Sequence, residues 1–189
     1  MEIEELLGDW EKVRQWRNEA EQAIEANLDT PCMRNPRSLL LFALSEEIAG
    51  NFQDVASIIE RADELRMEGH GLALEGPRVR LALVRGDLDT VQRLVGEDDL
   101  VALVAKRRTG YHLGRLSIRL DALAALRDGA RVEKEAPRHL QQGTYLEPFA
   151  LRALGIVRED EQLIEQALER FRALGLEWHA AQTHALAGV

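Results

Sequence analysis

Apolar residues recur along the chain at the three- and four-residue spacing of amphipathic helices. The two clearest stripes are Val55, Ile58, Ile59, Ala62 and Leu65, and then Leu163, Ile164, Ala167, Leu168, Phe171 and Leu174. Each set places its apolar side chains on one helical face. No stretch alternates with a period of two for long enough to indicate a strand. The pattern therefore predicts an all-α protein.

A short turn recurs five times between these stripes. Its copies are Gly8-Asp9-Trp10, Gly50-Asn51-Phe52, Gly86-Asp87-Leu88, Arg127-Asp128-Gly129 and Arg158-Glu159-Asp160. Five positions after the first residue of each copy stands an aliphatic residue, namely Val13, Val55, Val91, Val132 or Leu163. Glycine readily ends a helix with a positive φ, and Asp or Asn can cap the next helix. The chain is thus expected to repeat a unit of helix A, tight turn and helix B.

The helices that precede these turns are also apolar in pattern. They are expected at Leu39 to Ile48, Val79 to Val84, Leu116 to Leu126 and Phe149 to Val157. Pro77 and Pro148 are expected near the starts of A helices, where a missing amide is tolerated. Pro137 should shorten or kink the fourth B helix, and the segment Asp98 to Arg108 should add a helix to the third unit. We expect a single domain over residues 1–189, with incomplete units at both ends.

The turn and its recurrence resemble the tetratricopeptide repeat, whose unit is a helical hairpin of about 34 residues. The small or aliphatic residue inside helix A of that family matches Ala43, Val79, Leu120 and Leu151. The repeats are degenerate, because the Trp-Leu-Gly-Tyr start of the family pattern is missing and unit lengths vary. The resemblance implies a right-handed α-α superhelix of about five hairpins. The stretch from Leu151 to Ala181 is similar to the repeat regions of large bacterial signalling proteins, such as ATPase-coupled cyclases and transcriptional activators.

In tetratricopeptide stacks the A helices line a concave groove that receives peptides or partner helices. The resemblance places in that groove Arg37, Leu44, Glu47, Arg80, Val84, Asp121, Tyr145 and Arg152. Three of these are arginines, and guanidinium groups suit bidentate recognition of carboxylates. The alternative is that each arginine simply pairs with a nearby acidic residue. The Lys and Asn residues with which some members of the family clamp a terminal carboxylate are absent from the matching positions.

Charge and composition narrow the choice of partners and compartment. The 24 Lys and Arg stand against 33 Asp and Glu, a net charge of −9, so a nucleic acid would repel the chain. The basic run at Lys106 to Arg108 is interpreted as a solvated helix end. A single cysteine, Cys32, excludes an intrachain disulfide, and no apolar run approaches the ~20 residues of a membrane span. We therefore expect a cytoplasmic protein that binds neither nucleic acid nor membrane.

The titratable residues form no recognisable catalytic or metal-binding motif. The chain has five histidines, and the two closest, His179 and His184, lack the spacing of three or four that a metal-binding helix favours. Gly69-His70-Gly71 lacks the Gly-Lys-Ser/Thr of a phosphate loop. We therefore expect no enzymatic activity, no metal and no cofactor.

The resulting prediction is a non-catalytic module that binds a protein or peptide, as the scaffold or sensor part of a bacterial signalling or regulatory protein. The alternative is a small-molecule-sensing regulatory domain with a closed pocket between the A helices. Because repeat stacks need capped ends, the incomplete first and last units predict a longer chain or a homodimer through the open ends.

Overall fold

The structure is a computed structural model that describes residues 1–30, 32–66, 71–95 and 110–187. These residues form twelve α-helices and one 3-10 helix, with no strand among them. The helices are α1 (Glu2–Leu7), α2 (Trp10–Gln15), α3 (Arg17–Glu25), α4 (Arg34–Ala49), α5 (Phe52–Glu64), α6 (Gly71–Arg85), α7 (Leu88–Val95), α8 (Gly110–Ala125), α9 (Gly129–Glu135), α10 (Glu147–Arg158), α11 (Glu161–Ala173) and α12 (Glu177–Ala187). The 3-10 helix spans Ala136–His139. The predicted all-α class is confirmed.

The five predicted turns each contain a residue in the left-handed region. Gly8, Gly50 and Gly86 have φ values of 74°, 80° and 68°. In the two copies that lack this glycine, Arg127 and Glu159 adopt φ values of 53° and 55°, a conformation that costs a non-glycine residue steric energy. The weaker copies therefore fold as the same turn, at some cost in strain.

Aspartate caps start most of the B helices, as predicted. The carboxylate accepts a main-chain amide of the first helical turn at Asp9, Asp87, Asp128 and Asp160. Asn51 differs, because no amide of α5 bonds to its side chain. Its amide group instead donates to the Glu46 carboxylate of α4 at 2.7 Å. The second turn is thus tied to the helix before it rather than the helix after it.

The helices that precede the turns pack side by side in chain order. We call α4, α6, α8 and α10 the A row, because each contacts the next along the chain. Each also contacts the helix that follows it, namely α5, α7, α9 and α11. Of the five aliphatic residues that follow the turns, four are fully buried, namely Val13, Val55, Val91 and Val132. Leu163 is half-buried.

Pro77, Pro137 and Pro148 have different effects on their helices. Pro148 lies in the first turn of α10, and Pro137 lies in the 3-10 helix that ends α9 at Glu135, as predicted. Pro77 is not near a helix start, because α6 begins at Gly71 and the proline lies inside it. There its ring removes one main-chain hydrogen bond to the preceding turn. The predicted helix at 98–108 lies outside the described residues.

The first helix does not stand in line with the A row. Helix α1 contacts α8 and α12 as well as α2, whereas α2 packs on α4. Helix α12 contacts α8 and α10 in addition to α11. The first and last helices thus meet each other across the A row.

Candidate functional site

Helices α1 and α12 cover one side of the A row, which we call the A face. Its charged side chains come from one helix each: Arg37 from α4, Arg80 from α6, Asp121 from α8 and Arg152 from α10. All four are at most 9% exposed. Long charged side chains are almost never this buried unless they are paired, so their partners define the site.

Asp121 lies at the centre of the A face and binds two guanidinium groups. Its Oδ2 accepts from Arg80 at 2.6 Å, and its Oδ1 accepts from Arg152 at 2.5 Å. Arg152 is completely buried. It also donates to the carbonyl of His179 at 2.6 Å and to Oγ1 of Thr183 at 3.1 Å. The cluster therefore ties three helices of the A row to α12.

The cluster carries one more positive charge than negative. Burial lowers the pKa of the Arg152 guanidinium, and the Asp121 carboxylate opposes that shift. Aromatic rings supply further stabilisation, because the Arg152 guanidinium lies 4.5 Å from the ring centroid of Phe171 and 5.3 Å from that of Phe149. Within the part of the chain that the structure describes, Nε of Arg152 has no hydrogen-bond partner. The A face is thus electropositive at its centre.

His179 links this cluster to α1. Its Nε2 lies 3.0 Å from the carbonyl oxygen of Leu6, and the ring is 1% exposed. Burial lowers the pKa of His179 well below its ordinary value, and the positive charges of Arg80 and Arg152 lower it further. The neutral ring therefore donates from Nε2, which leaves Nδ1 as a buried acceptor with no partner among the described residues.

Helix α1 is held on the A face through two adjacent residues of its last turn. The Glu5 carboxylate accepts from the Arg37 guanidinium at 2.6 Å. The Tyr145 hydroxyl donates to the Leu6 carbonyl at 2.9 Å, and burial raises the pKa of this tyrosine to about 12. The last carbonyls of a helix lack partners within the helix. Tyr145 and His179 supply two donors to one of them.

An aromatic contact joins the first turn to the start of α12. The rings of Trp10 and Trp178 meet edge to face with centroids 5.3 Å apart. Arg80 lies over the Trp178 ring at 5.5 Å. A Cβ at Gly8 would lie 2.8 Å from the Cβ of Trp178, so glycine is needed there for close approach as well as for its positive φ.

The eight residues predicted to line a groove fall into four groups. Arg37 and Tyr145 contact α1, while Arg80, Asp121 and Arg152 form the buried cluster under α12. Two of the eight, Leu44 and Val84, pack in the hydrophobic core. The last, Glu47, pairs with Arg85 across α4 and α6 at 2.6 Å.

The first two groups are covered by helices of the same chain rather than open to solvent. The sequence pattern also missed Glu5, His179 and Trp178, which make the contacts from α1 and α12. Local spacing carries no information about contacts between residues as far apart in the chain as Leu6 and His179.

The cavity enclosed beside Glu5 of α1 is small, whereas an open cleft of about 240 Å³ lies between the start of α1 and α4. The cavity lined by Glu5, Arg80, Ser117 and Tyr145 has a volume of about 10 Å³, which accommodates about one water molecule. A larger cleft of about 280 Å³ lies between α3, α4 and α5. Ion pairs span it, with Arg17 bonded to Asp54 and Arg61 bonded to Glu25. Its charges are therefore already matched.

Over 1–30, 32–66, 71–95 and 110–187, no three His, Cys, Asp or Glu side chains lie close enough to hold a metal ion. Within the same ranges, no helix has the length and apolar character that crossing a membrane requires.

Comparisons of this chain with protein-family models, with curated proteins and with solved structures find no match. The resemblance to tetratricopeptide repeats therefore stays a prediction from the sequence.

Proposed function

We propose that this protein is a non-catalytic helical-repeat module that binds a protein or peptide through its A face. One observation carries the proposal. The A face binds helix α1 in two ways: Arg37 forms an ion pair with the Glu5 side chain, and the Tyr145 hydroxyl donates to the main-chain carbonyl of Leu6. A partner helix would use contacts of the same kind. We extend this proposal to a scaffold or sensor role in a bacterial signalling or regulatory protein.

The order of packing supports a tetratricopeptide-like superhelix. Each A helix contacts the next, and each pairs with the B helix that follows it. Stacks of this kind expose one continuous face made of A helices, and repeat proteins use such extended faces for binding. The small enclosed cavity gives less support to the alternative of a small-molecule sensor. Drug-sized ligands occupy pockets of about 300–1,000 Å³, so a ligand between the A helices would require α1 or α12 to leave first.

The experiment is a selection of helical peptides from a random displayed library, made on the full chain and on its Glu5→Lys variant. We expect enriched peptides to bind saturably and to bind at least about threefold more weakly to Tyr145→Phe, which lacks one hydroxyl donor. Trp16→Phe is the matched control, because Trp16 is 42% exposed on the surface. Enrichment of no peptide, or equal weakening by both variants, would refute binding through the A face.

A further inference from the structure

We infer that the A face selects an acidic helix of a partner protein, and that α1 occupies this site in cis until such a helix displaces it. The inference rests on the proposed function. It adds the chemical class of the partner and the element with which that partner competes.

The charge of the uncovered site favours an acidic ligand. The Glu5 carboxylate of α1 is 8% exposed and accepts from the Arg37 guanidinium at 2.6 Å. In the neighbouring cluster, Asp121 balances one of the two positive charges of Arg80 and Arg152. This local positive charge belongs to a chain whose net charge is −9. Complementary potential fixes partner choice and register, so a helix with a basic residue in place of Glu5 would bring two cations together, and one with a neutral residue would lose the ion pair to Arg37.

The contacts of α1 also show which features of a ligand the site engages. A Cβ built at Gly114 of α8 would lie 3.5 Å from Cδ2 of Leu6, so the leucine packs closely on a position without a side chain. The carbonyl of Leu6 takes donors from Tyr145 and His179. The matching ligand is therefore a helix whose last turn presents a glutamate, then a leucine, and an exposed carbonyl.

Several features make α1 displaceable. It has six residues, whereas isolated helices shorter than about 12–15 residues are marginal in water. Ile3 and Leu7 of this helix are 69% and 43% exposed, so only part of its apolar surface is buried against the protein. Gly8 separates it from α2, whose Trp10 and Val13 are buried and which packs on α4. Displacement therefore requires rotation at one turn, with α2 left on α4.

The test uses a fluorescent peptide with the sequence of residues 1–9 and the full chain as protein. In Glu5→Lys the ion pair to Arg37 becomes a repulsion, which should free the site. We expect this variant to bind the peptide at least about tenfold more tightly than the wild type, as measured by fluorescence anisotropy. The matched control is Glu11→Lys, an identical charge change on α2 at a side chain that is 61% exposed. It should bind like the wild type.

Peptide variants test the charge requirement. Replacing the glutamate at position 5 of the peptide with glutamine should weaken binding to the Glu5→Lys chain by at least about tenfold. If circular dichroism shows that Glu5→Lys is unfolded, Glu5→Gln replaces it, since that change removes the ion pair without a repulsion.

The outcomes separate the two proposals. If acidic and glutamine peptides bind equally, the acidic selectivity is wrong while binding through the A face stands. If the wild type binds as tightly as the freed variant, occupation in cis is wrong. If the library selection yields A-face ligands of basic character, the function holds and this inference fails. If no peptide from either experiment binds a folded variant, the proposed function fails as well.

Discussion

Asp121 is the residue whose removal should most damage the fold. It is 1% exposed and is the common partner of Arg80 and Arg152. Arginine cannot lose its proton in a protein, so Asp121→Ala would leave two cations buried with no carboxylate between them. Breaking a buried ion pair by removing one partner costs about 3–5 kcal/mol. We expect the variant to lose at least that much free energy of unfolding.

The size of this loss decides how the variant behaves. Domains of ordinary stability unfold with about 5–15 kcal/mol, so the change would remove about a fifth or more of the total. With a urea slope of about 2 kcal/mol/M, the midpoint of unfolding should fall by about 1.5–2.5 M. Circular dichroism during a urea titration measures both the midpoint and the slope.

A surface aspartate provides the control. Asp63 pairs with Arg78, but its side chain is 46% exposed, so Asp63→Ala should cost at most about 1 kcal/mol. The combined change Arg80→Met, Asp121→Leu and Arg152→Met should be less damaging than Asp121→Ala alone, because it removes the buried charges together. A loss below about 1 kcal/mol in Asp121→Ala would show that the cluster is hydrated and that α12 does not seal it.

Three further changes test other parts of the structure. Burial and nearby guanidinium groups lower the pKa of His179 below its value in the unfolded chain. As the pH falls below about 6.5, only the unfolded state takes up this proton, so the free energy of unfolding should fall by about 1.4 kcal/mol per pH unit. His179→Gln should flatten this slope in urea titrations between pH 7 and 5, and an unchanged slope would contradict the low pKa of His179. Gly155→Ala should lower the free energy of unfolding by about 1–3 kcal/mol in thermal unfolding, because the new Cβ would lie 2.8 Å from Cγ1 and 3.0 Å from the main-chain nitrogen of Ile164. The control is Gly129→Ala, whose Cβ would meet nothing within 4 Å and which should be neutral or stabilising. Cys32 is exposed and should react fully with a thiol reagent in the absence of denaturant, so protection of this thiol would be evidence against its position on the surface.

The local features of this fold were predictable because they depend on neighbouring residues. A glycine with positive φ and an aspartate that caps the next helix act within a few positions, and Gly86 with Asp87 does both. The buried stripes follow from helical geometry in the same way, as Val55 and Val91 demonstrate. The prediction for Pro77 was wrong because the preference of proline for helix starts is only a tendency. Tertiary packing can stabilise a helix that contains a proline in its interior.

The candidate site was predictable only in part. The resemblance to a repeat family identified Arg37, Arg80, Asp121 and Arg152 as residues that share one face, and hydrogen bonds do connect Asp121 to two of these arginines. What covers that face could not be predicted. Helix α1 is bonded to Tyr145 and His179, which lie 139 and 173 positions from Leu6 in the chain, and no periodicity connects residues at such separations.

The meeting of α1 and α12 bears on how binding could be transmitted. In a linear stack each unit contacts only its neighbours, and stability is close to a sum of local terms. Here the carbonyl of Leu6 accepts hydrogen bonds from Tyr145 and His179, and the carbonyl of His179 accepts one from Arg152. A ligand that displaces α1 must therefore supply an acceptor in the same place, or leave two buried donors unpaired next to the cluster on Asp121. Such a ligand would bias the position of α12 through that shared contact, so binding at one end of the chain and a change at the other end would be coupled by the same few hydrogen bonds.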